Sequence, residues 1–434
     1  MTSRPLPGSA HADPEHQVSG ATATTNGSMA DRYEAFLLDL DGVVYRGNVP
    51  ISGAADAIDE LRRRGRQVVF ITNNSARTPR AVAEALDSLG VAASADEVVT
   101  SAQAAVPIVA ELIGAGGTVY ALGEEGVRAA LTEGGMTLLE GEPDQADAVV
   151  IGWDRQASYD SLRVASVLVQ RGARLVATNA DASWPAPGGE LWPGTGALLA
   201  AVEETTGTRA VVAGKPHRPL FDAALERAGT TNALVIGDRL DTDVAGASAA
   251  GLDAALVLTG AADASQVLDH DALPVAILQD LTRLSDERPE TRIRAAAAAD
   301  EGAVLAMVKD ARLAEPAGTG GPDASESFVA VGSDDAPRAA ATTKTQREHA
   351  YLHSVVVRPE IQGLGLGTLV VAAAVGAARR KGATHCYLLT EGASAFFSKL
   401  GFEPTDRNSM PGWILEVSRE CATSAVAMGR RLVQ

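Results

Sequence analysis

Short runs of apolar residues that end in polar residues recur along the first two thirds of the chain. The run 35–38 is followed by Asp39, the run 67–71 by Thr72, and the run 233–236 by Gly237 and Asp238. Short, continuous apolar runs are typical of parallel strands that are buried on both faces. The pattern therefore predicts buried parallel strands with polar side chains at their carboxyl ends.

Helical periodicity separates the first two predicted strands. Ala54, Ile58 and Leu61 recur on one face of a helix, which Gly65 ends. Alternating strands and helices predict a doubly wound α/β domain. Ligands bind to such folds beyond the carboxyl ends of the strands, which is where the polar residues of this chain cluster. We therefore expect a functional site at that edge of the sheet.

The same patterns divide the chain into units. Residues 1–31 lack apolar periodicity and are predicted to be a disordered tail, so that either Met1 or Met29 could be the true start. Residues 32–103 and 209–285 form the predicted core domain. Residues 104–208, with predicted strands at 118–122, 148–151 and 175–178, form an inserted α/β unit that can act as a lid over the strand ends.

A polar linker at residues 285–292 marks the start of a third unit, residues 286–434, with the domain boundary near residue 286. This unit begins with a predicted helix at 295–311. A predicted strand at 354–357 is followed by a glycine-containing loop and then by an apolar helix that reaches about residue 380. Glycines between a strand and a helix allow backbone amides to approach a diphosphate, with help from the helix N-terminus.

Composition and charge narrow the class of protein. The 434 residues carry a net charge of −18, which disfavours nucleic acid and anionic membranes as partners and means that a phosphate site must supply its own cations. No apolar run approaches the roughly 18 residues of a membrane span, and residues 1–30 do not resemble a secretory signal. With only two cysteines, Cys386 and Cys421, a cytoplasmic location is expected.

The polar residues at the strand ends have the chemistry of phosphate ester hydrolysis. Asp39 and Asp41 stand two residues apart and can share a hard divalent cation. Such hydrolysis needs a nucleophile, a proton donor and positive charge around the transferring group. Thr72 offers a hydroxyl, Lys215 a fixed cation and Asp238 another carboxylate. The set predicts a metal-dependent phosphatase.

These four segments resemble the four motifs of the haloacid dehalogenase (HAD) superfamily, over about residues 33–285. The resemblance implies a Rossmann-like core, Asp39 as nucleophile, Asp41 as general acid and base, and a phosphoryl group held by Thr72 and Lys215. It also implies Mg²⁺ bound by Asp39, the backbone carbonyl of Asp41, and Asp238. Asp243 would support the metal site.

The position of the inserted unit resembles the cap of the NagD-like branch of that superfamily. By this resemblance, substrate contacts are expected from Asn73 and Asn74 and from the cap residues Asn179 and Asp181. A closing lid favours small phosphorylated metabolites. By analogy glycerol 3-phosphate is the favoured substrate, and pyridoxal phosphate and phosphoglycolate remain open. A homodimer through the cap or the C-terminal unit is a further expectation.

The C-terminal unit resembles the GNAT acetyltransferases, an α+β fold, over about residues 290–434. The loop residues Gln362, Gly363, Gly365 and Gly367 match the acyl-CoA loop of that family, and the resemblance implies acetyl-CoA binding there. Phe397 stands where many of these enzymes carry a catalytic tyrosine. Three interpretations therefore stay open: an N-acetyltransferase, a module that senses acetyl-CoA, or a structural domain.

Overall fold

The computed structural model describes residues 27–185, 190–313, 325–419 and 421–433. The N-terminal part supplies the first half of a parallel sheet, together with a small flap made by β3 and β4. Its elements are β1 (Gly27–Ser28), α1 (Met29–Arg32), β2 (Ala35–Leu38), β3 (Tyr45–Arg46), β4 (Val49–Pro50), α2 (Ala54–Arg63), β5 (Gln67–Thr72), α3 (Pro79–Ser88) and β6 (Val98–Thr100).

The inserted unit forms a separate five-stranded parallel sheet with a hairpin, β11–β12, beside it. Its elements are α4 (Ser101–Ile113), β7 (Thr118–Leu122), α5 (Glu125–Glu133), β8 (Thr137–Leu139), β9 (Ala148–Ile151), α6 (Tyr159–Gln170), β10 (Arg174–Ala177), β11 (Ser183–Pro185), β12 (Leu191–Pro193), α7 (Thr195–Thr206) and β13 (Val211–Val212). The strand order is β13-β10-β9-β7-β8.

The chain then returns to the first sheet and completes it. The returning elements are α8 (Arg218–Ala228), β14 (Ala233–Gly237), a π-helical turn (Leu240–Val244), α9 (Ala245–Ala250), β15 (Asp253–Val257), β16 (Ala276–Leu278) and β17 (Glu287–Arg288). The finished sheet is parallel throughout, in the order β16-β15-β14-β2-β5-β6.

Both faces of this core sheet are covered. Leu37 and Phe36 are neighbours on β2, yet they lie in two different buried clusters because successive side chains of a strand point to opposite faces. Neither side chain has any exposed surface. The predicted doubly wound α/β architecture with an inserted α/β unit is therefore confirmed.

The C-terminal unit is built on a mixed seven-stranded sheet. Its elements are β18 (Arg292–Ala295), α10 (Glu301–Asp310), β19 (Glu326–Val331), β20 (Pro337–Gln346), β21 (His349–Val357), α11 (Leu366–Arg380), β22 (His385–Thr390), α12 (Ser394–Lys399), β23 (Glu403–Pro404), α13 (Gly412–Val417) and β24 (Val426–Arg431). Of the strand pairs described in this sheet, only β21–β22 is parallel. Among the described residues, no helix has the length and apolar character needed to cross a bilayer.

Several predicted boundaries differ from the structure. The predicted tail ends too late at residue 31, because Gly27 already pairs with Arg288 and Met29 is buried; residues 1–26 lie outside the described part of the chain. The cap does not end at residue 208, because β13 pairs with β10 in the cap sheet. Its predicted start at residue 104 falls inside α4.

Two further differences concern the C-terminal unit. The predicted helix at 295–311 begins only at Glu301, because β18 pairs with β19 and uses residues 292–295 as an edge strand. The boundary near residue 286 is followed by β17, which pairs with β1 rather than with the C-terminal sheet. In both places strand pairing across the chain overrides the local preference.

Candidate active site

The predicted nucleophile, Asp39, lies directly after β2 at the carboxyl edge of the core sheet. Its backbone N–H donates to the carbonyl of Ile236 on β14 at 2.9 Å, which continues the parallel ladder by one residue. Lys215 Nζ donates to Asp39 Oδ1 and to Asp243 Oδ1, each at 2.6 Å. Residues 176 positions apart in sequence thus form one buried ion cluster.

Three carboxylates converge on this point. Oxygen atoms of Asp39, Asp238 and Asp243 all lie within 4.8 Å of one another. One lysine cannot balance three carboxylates, so the cluster keeps an excess of negative charge. Hard divalent cations such as Mg²⁺ are bound by carboxylate oxygens, and this donor set fits one.

The arrangement differs from the expected ligand set in one respect. Asp243, predicted only to support the site, is fully buried and belongs to the carboxylate cluster itself. The Asp41 carboxylate is not in the cluster and accepts the Gly47 N–H at 3.3 Å. The role expected of the Asp41 backbone carbonyl stays a prediction.

Burial and crowding shift the protonation of these groups. Burial raises the pKa of Asp39 to about 8, although Lys215 opposes the shift. Burial, followed by the charge of Asp243, raises the pKa of Asp238 to about 6. Burial alone would lower the pKa of Lys215, but Asp243 and Asp39 outweigh it and raise that pKa. All three pKa values are raised, which means that the cluster favours binding of a proton or another positive charge among its carboxylates.

Asp41 has the environment of a proton carrier. Burial raises the pKa of its carboxyl above the ordinary range, while the N–H of Gly47 opposes the shift. A carboxyl with a raised pKa keeps its proton closer to neutral pH, where it can be given to a leaving oxygen.

Backbone groups that sequence reasoning missed hold Asp238 in place. Its Oδ2 accepts the N–H of Ala261 at 2.6 Å. Gly42 has φ +85° and packs so closely on this carboxylate that a Cβ there would collide with it. The Gly42 carbonyl also accepts the Thr259 hydroxyl at 2.6 Å. Only the adjacency of Gly42 to Asp41 hinted at such a role.

The loop after β5 brings the predicted phosphoryl-binding residues together. The Thr72 hydroxyl oxygen accepts the N–H of Asn74 at 3.1 Å, and Thr72 is buried. Asn73 Oδ1 accepts the Lys215 N–H at 2.8 Å. Asn74 Oδ1 accepts the N–H of Ala76 at 3.0 Å. The amide side chains of Asn73 and Asn74 therefore shape the loop and position Lys215.

The cap reaches this loop through the two cap residues expected to contact substrate. Asn73 Nδ2 donates to Asp181 Oδ2 at 3.0 Å, and Asn179 Nδ2 donates to the Asn73 carbonyl. Ser75 makes a second link, because its hydroxyl accepts the Trp153 N–H at 3.0 Å. Sequence reasoning missed Ser75, which only the packing of the cap reveals. Direct substrate contact by Asn179 and Asp181 stays a prediction.

A cavity of about 850 Å³ lies in the C-terminal unit. The strands β21 and β22 pair only over residues 349–351, and beyond them the strands diverge. The glycine loop borders the resulting gap, so the four predicted acyl-CoA residues line it: Gln362, Gly363, Gly365 and Gly367. Binding of acetyl-CoA there stays a prediction.

Phe397 lines the same cavity and offers no hydroxyl. Tyr351 lies across the gap, with its hydroxyl 3.7 Å from the Cys421 sulfur. His353 is nearby, and burial lowers its pKa to about 4, so it is neutral at physiological pH. No sequence pattern pointed to this trio, because its members come from β21 and from the distant C-terminal segment.

The fold and the carboxylate–lysine cluster define a hydrolase of the haloacid dehalogenase class. Residues 36–137 match the family model of haloacid dehalogenase-like hydrolases, and residues 212–284 match a second model of HAD-like hydrolases. Residues 285–402 match the model of the GNAT acetyltransferase family. The chain belongs to the haloacid dehalogenase-like hydrolases and carries a C-terminal GNAT domain, as the sequence predicted.

Individual relatives agree with this membership. An acid sugar phosphatase of Staphylococcus saprophyticus is 37% identical over 257 residues, which span 59% of this chain and 98% of that protein. A 5'-nucleotidase of Bacillus subtilis is 36% identical over 58% of this chain and 96% of its own length. The predicted enzyme class, phosphoric monoester hydrolase, is therefore confirmed.

A solved structure extends over both parts of the chain. The glycerol phosphate phosphatase of Mycobacterium tuberculosis, in complex with magnesium, superposes with a TM-score of 0.65 at 29% identity. The match covers 86% of this chain and 98% of that one. A thermostable phosphatase of Geobacillus stearothermophilus matches 58% of this chain, at 36% identity and a TM-score of 0.53.

Proposed function

We propose that the chain is a Mg²⁺-dependent phosphatase of a small phosphorylated metabolite, with glycerol 3-phosphate as the favoured substrate. The observation that carries the proposal is the position of Lys215 Nζ, 2.6 Å from both Asp39 and Asp243, with Asp238 in the same cluster. A nucleophile, a fixed cation and further carboxylates thus surround one small volume at the edge of the sheet.

Asp39, Asp238 and the backbone carbonyl of Asp41 would hold the metal ion, with Asp243 in support. When bound, Mg²⁺ supplies positive charge that neutralises the transferring phosphoryl group. The Asp39 carboxylate attacks phosphorus, the bond from phosphorus to the ester oxygen breaks, and the alcohol departs from an aspartyl phosphate. Lys215 and the Thr72 hydroxyl hold the phosphoryl oxygens during this step.

Asp41 carries the proton. It donates its proton to the departing ester oxygen and then takes one from the water that hydrolyses the aspartyl phosphate. Burial raises the pKa of Asp41, which suits the first task because the carboxyl then keeps its proton to a higher pH than an exposed aspartate does.

One observation supports a small substrate, and a second favours glycerol phosphate among small substrates. Asp181 of the cap contacts the phosphoryl-binding loop through Asn73, so the cap covers the strand ends. The relatives named for sugar phosphates and nucleotides match only 58–59% of this chain, whereas the glycerol phosphate phosphatase matches 86% of it, including the C-terminal part. Pyridoxal phosphate and phosphoglycolate are the alternatives.

A panel of phosphorylated metabolites tests the substrate. Phosphate release should show the highest kcat/KM with glycerol 3-phosphate when the panel also includes pyridoxal phosphate, phosphoglycolate, a sugar phosphate and a nucleoside 5'-monophosphate. A clearly higher kcat/KM for any other member would contradict the substrate assignment without affecting the phosphatase assignment. Absence of phosphate release from the whole panel would contradict both.

We further propose that the C-terminal cavity binds acetyl-CoA. The supporting observation is the glycine loop along a gap between diverging strands, at the N-terminus of the 15-residue helix α11. Because Phe397 has no proton to give, a binding module that senses acetyl-CoA is the favoured role. N-acetyl transfer remains the alternative, with the Tyr351 hydroxyl as one group in the cavity that could protonate a thiolate.

Calorimetry with acetyl-CoA tests this second proposal. Wild type should bind, and Gly365→Ala should not, because Gly365 has φ +83° and packs against Ile277. Gly412→Ala is the matched control, since Gly412 has open space around it. No heat with wild type would leave only a structural domain. If binding is seen, acetyl transfer to candidate amines separates an enzyme from a sensor.

A further inference from the structure

Arg288 is a buried arginine whose guanidinium group forms no ion pair among the described residues. Arg288 is 8% exposed, and its Nε atom has no hydrogen-bond partner in the described part of the chain. None of the ion pairs found between described residues involves Arg288. Burial lowers the pKa of Arg288 and the charge of Arg32 adds to that shift, while Asp286 opposes it without outweighing burial. An unpaired buried charge is strongly destabilising, so such a group is expected to meet an anion.

Arg288 lines a cavity of about 550 Å³ between the core domain and the C-terminal unit. The core contributes Tyr33 and Val275, and the C-terminal unit contributes Leu364 and Leu366 of the glycine loop. Cavities that hold small molecules span roughly 300–1,000 Å³ and combine apolar walls with a few polar groups. This cavity has both the size and the mixed lining of a metabolite site.

The cavity is distinct from the catalytic site. It borders Asn232, which precedes β14, and Asp253, which begins β15. Asp39 and Asp238 follow the other ends of β2 and β14. Parallel strands place their amino ends on one edge of the sheet and their carboxyl ends on the opposite edge, so the sheet separates the two sites.

The charged neighbours of Arg288 leave positive charge available. Arg32 also lines the cavity and donates to the carbonyls of Gly27 and Arg288, not to a carboxylate. Arg292 is paired with Asp335 at 2.8 Å. Two acids border the cavity: Asp253, which accepts the Tyr33 hydroxyl at 2.8 Å, and Glu290. Asp286 acts on Arg288 and Glu290 acts on Arg32 through space, but neither guanidinium group forms an ion pair with a carboxylate within the described ranges. Two such groups side by side match a dianion.

We propose that this cavity binds a small phosphate-bearing metabolite, whose phosphate is held by Arg288 and Arg32 and whose carbon skeleton packs against Leu364, Leu366 and Val275. Guanidinium groups bind phosphate through paired N–H donors, which gives both affinity and orientation. Since the bound molecule contacts both the core and the glycine loop, it joins the two domains at this interface.

Phenylphosphonate is a suitable probe, because it carries a dianion on an apolar ring and has no ester bond to hydrolyse. Calorimetry uses the full chain as wild type, Arg288→Met, Lys215→Met and Arg218→Met. Arg218 is an exposed arginine paired with Asp222 and controls for total charge. We expect at least about tenfold weaker binding in Arg288→Met and unchanged binding in Arg218→Met, in line with the loss of a charge-assisted pair.

Lys215→Met removes the cation of the catalytic site, so the binding that depends on Arg288 should persist in that variant. Complete loss of binding in Lys215→Met, with full binding in Arg288→Met, would place all of the phosphonate in the catalytic site and overturn the proposal. Tighter binding of inorganic phosphate than of phenylphosphonate would overturn the assignment to an organic phosphate.

Thermal unfolding separates a ligand site from a structural role. Without ligand, Arg288→Met should unfold at the same temperature as wild type or higher, because it no longer buries an unpaired charge. Phenylphosphonate should raise the unfolding temperature of Lys215→Met, whose catalytic site lacks its cation, more than that of the double variant Lys215→Met/Arg288→Met. A double variant that is less stable than Lys215→Met, yet gains the same increase from phenylphosphonate, would show that Arg288 is structural only.

Discussion

Replacement of Asp39 by asparagine should separate the role of this residue in catalysis from the cost of its buried charge to folding stability. Asparagine has nearly the same shape but cannot form an acyl phosphate, so kcat should fall on the order of 10⁴-fold or more. The fold should persist, because Lys215 keeps its ion pair with Asp243 at 2.6 Å. Phosphate release from glycerol 3-phosphate measures the first effect.

The electrostatic effect has a defined sign. Without a divalent cation, burial raises the pKa of Asp39 from 3.8 to about 8. A raised carboxyl pKa stabilises the fold fully below about pH 4, and that contribution is lost as the pH rises through about 8. Each tenfold change in proton affinity is worth about 1.4 kcal/mol, so this titration alone corresponds to several kcal/mol at most. The asparagine side chain of Asp39→Asn cannot titrate. The variant should therefore not lose this part of its folding stability as the pH rises.

Denaturant unfolding in the presence of a chelator, at several pH values between about 5 and 9, measures the effect. The free energy of unfolding should fall with rising pH in wild type and fall much less in Asp39→Asn. Asp56→Asn changes an exposed acid on α2 and should follow wild type. Mg²⁺ should restore stability at high pH to wild type more than to Asp39→Asn. Parallel pH profiles for wild type and Asp39→Asn would refute the reasoning.

Three further predictions concern the same site. Chelation should abolish phosphate release and added Mg²⁺ should restore it, whereas full activity in excess chelator would exclude a metal requirement. Asp41→Asn should lower kcat by about 10²–10⁴-fold and leave the unfolding midpoint unchanged. If this variant turned over substrate as fast as wild type at all pH values, Asp41 would have no role in proton transfer. Gly42→Ala should weaken Mg²⁺ activation, because Gly42 has φ +85° and a Cβ there would displace Asp238. The expected result is a higher Mg²⁺ concentration for half-maximal activity, and an unchanged Mg²⁺ requirement would show that Asp238 tolerates the shift.

The GNAT domain is packed against the phosphatase core through specific ion pairs. Arg430 donates to both carboxylate oxygens of Asp269 at 2.8 Å, and Arg379 pairs with Asp271 at 2.6 Å. Gly365 of the glycine loop lies against Ile277 of the core edge strand. A ligand on this loop therefore contacts a segment that rests directly on the core sheet.

Local patterns in the sequence were enough to find three of the six strands of the core sheet, three strands of the cap sheet and the polar residues at the ends of the core strands. The run 35–38 is an observed strand with unchanged bounds, as are the runs 118–122 and 148–151. The strands 35–38 and 148–151 are buried on both faces, so every residue in them is apolar and the length of the apolar run predicts the length of the strand. The acids that follow such strands were equally visible, and so was the order of the phosphatase motifs.

The tertiary structure decided which of those groups meet. Asp243 joins the carboxylate cluster because the π-helical turn at Leu240–Val244 folds it back onto Lys215, whereas the Asp41 carboxylate turns toward Gly47. The burial of Met29, the pairing of β13 with the cap and the unpaired charge of Arg288 within the described ranges also depend on contacts between distant segments. Neighbouring residues encode burial and periodicity, but the path of the chain determines which side chains share a site.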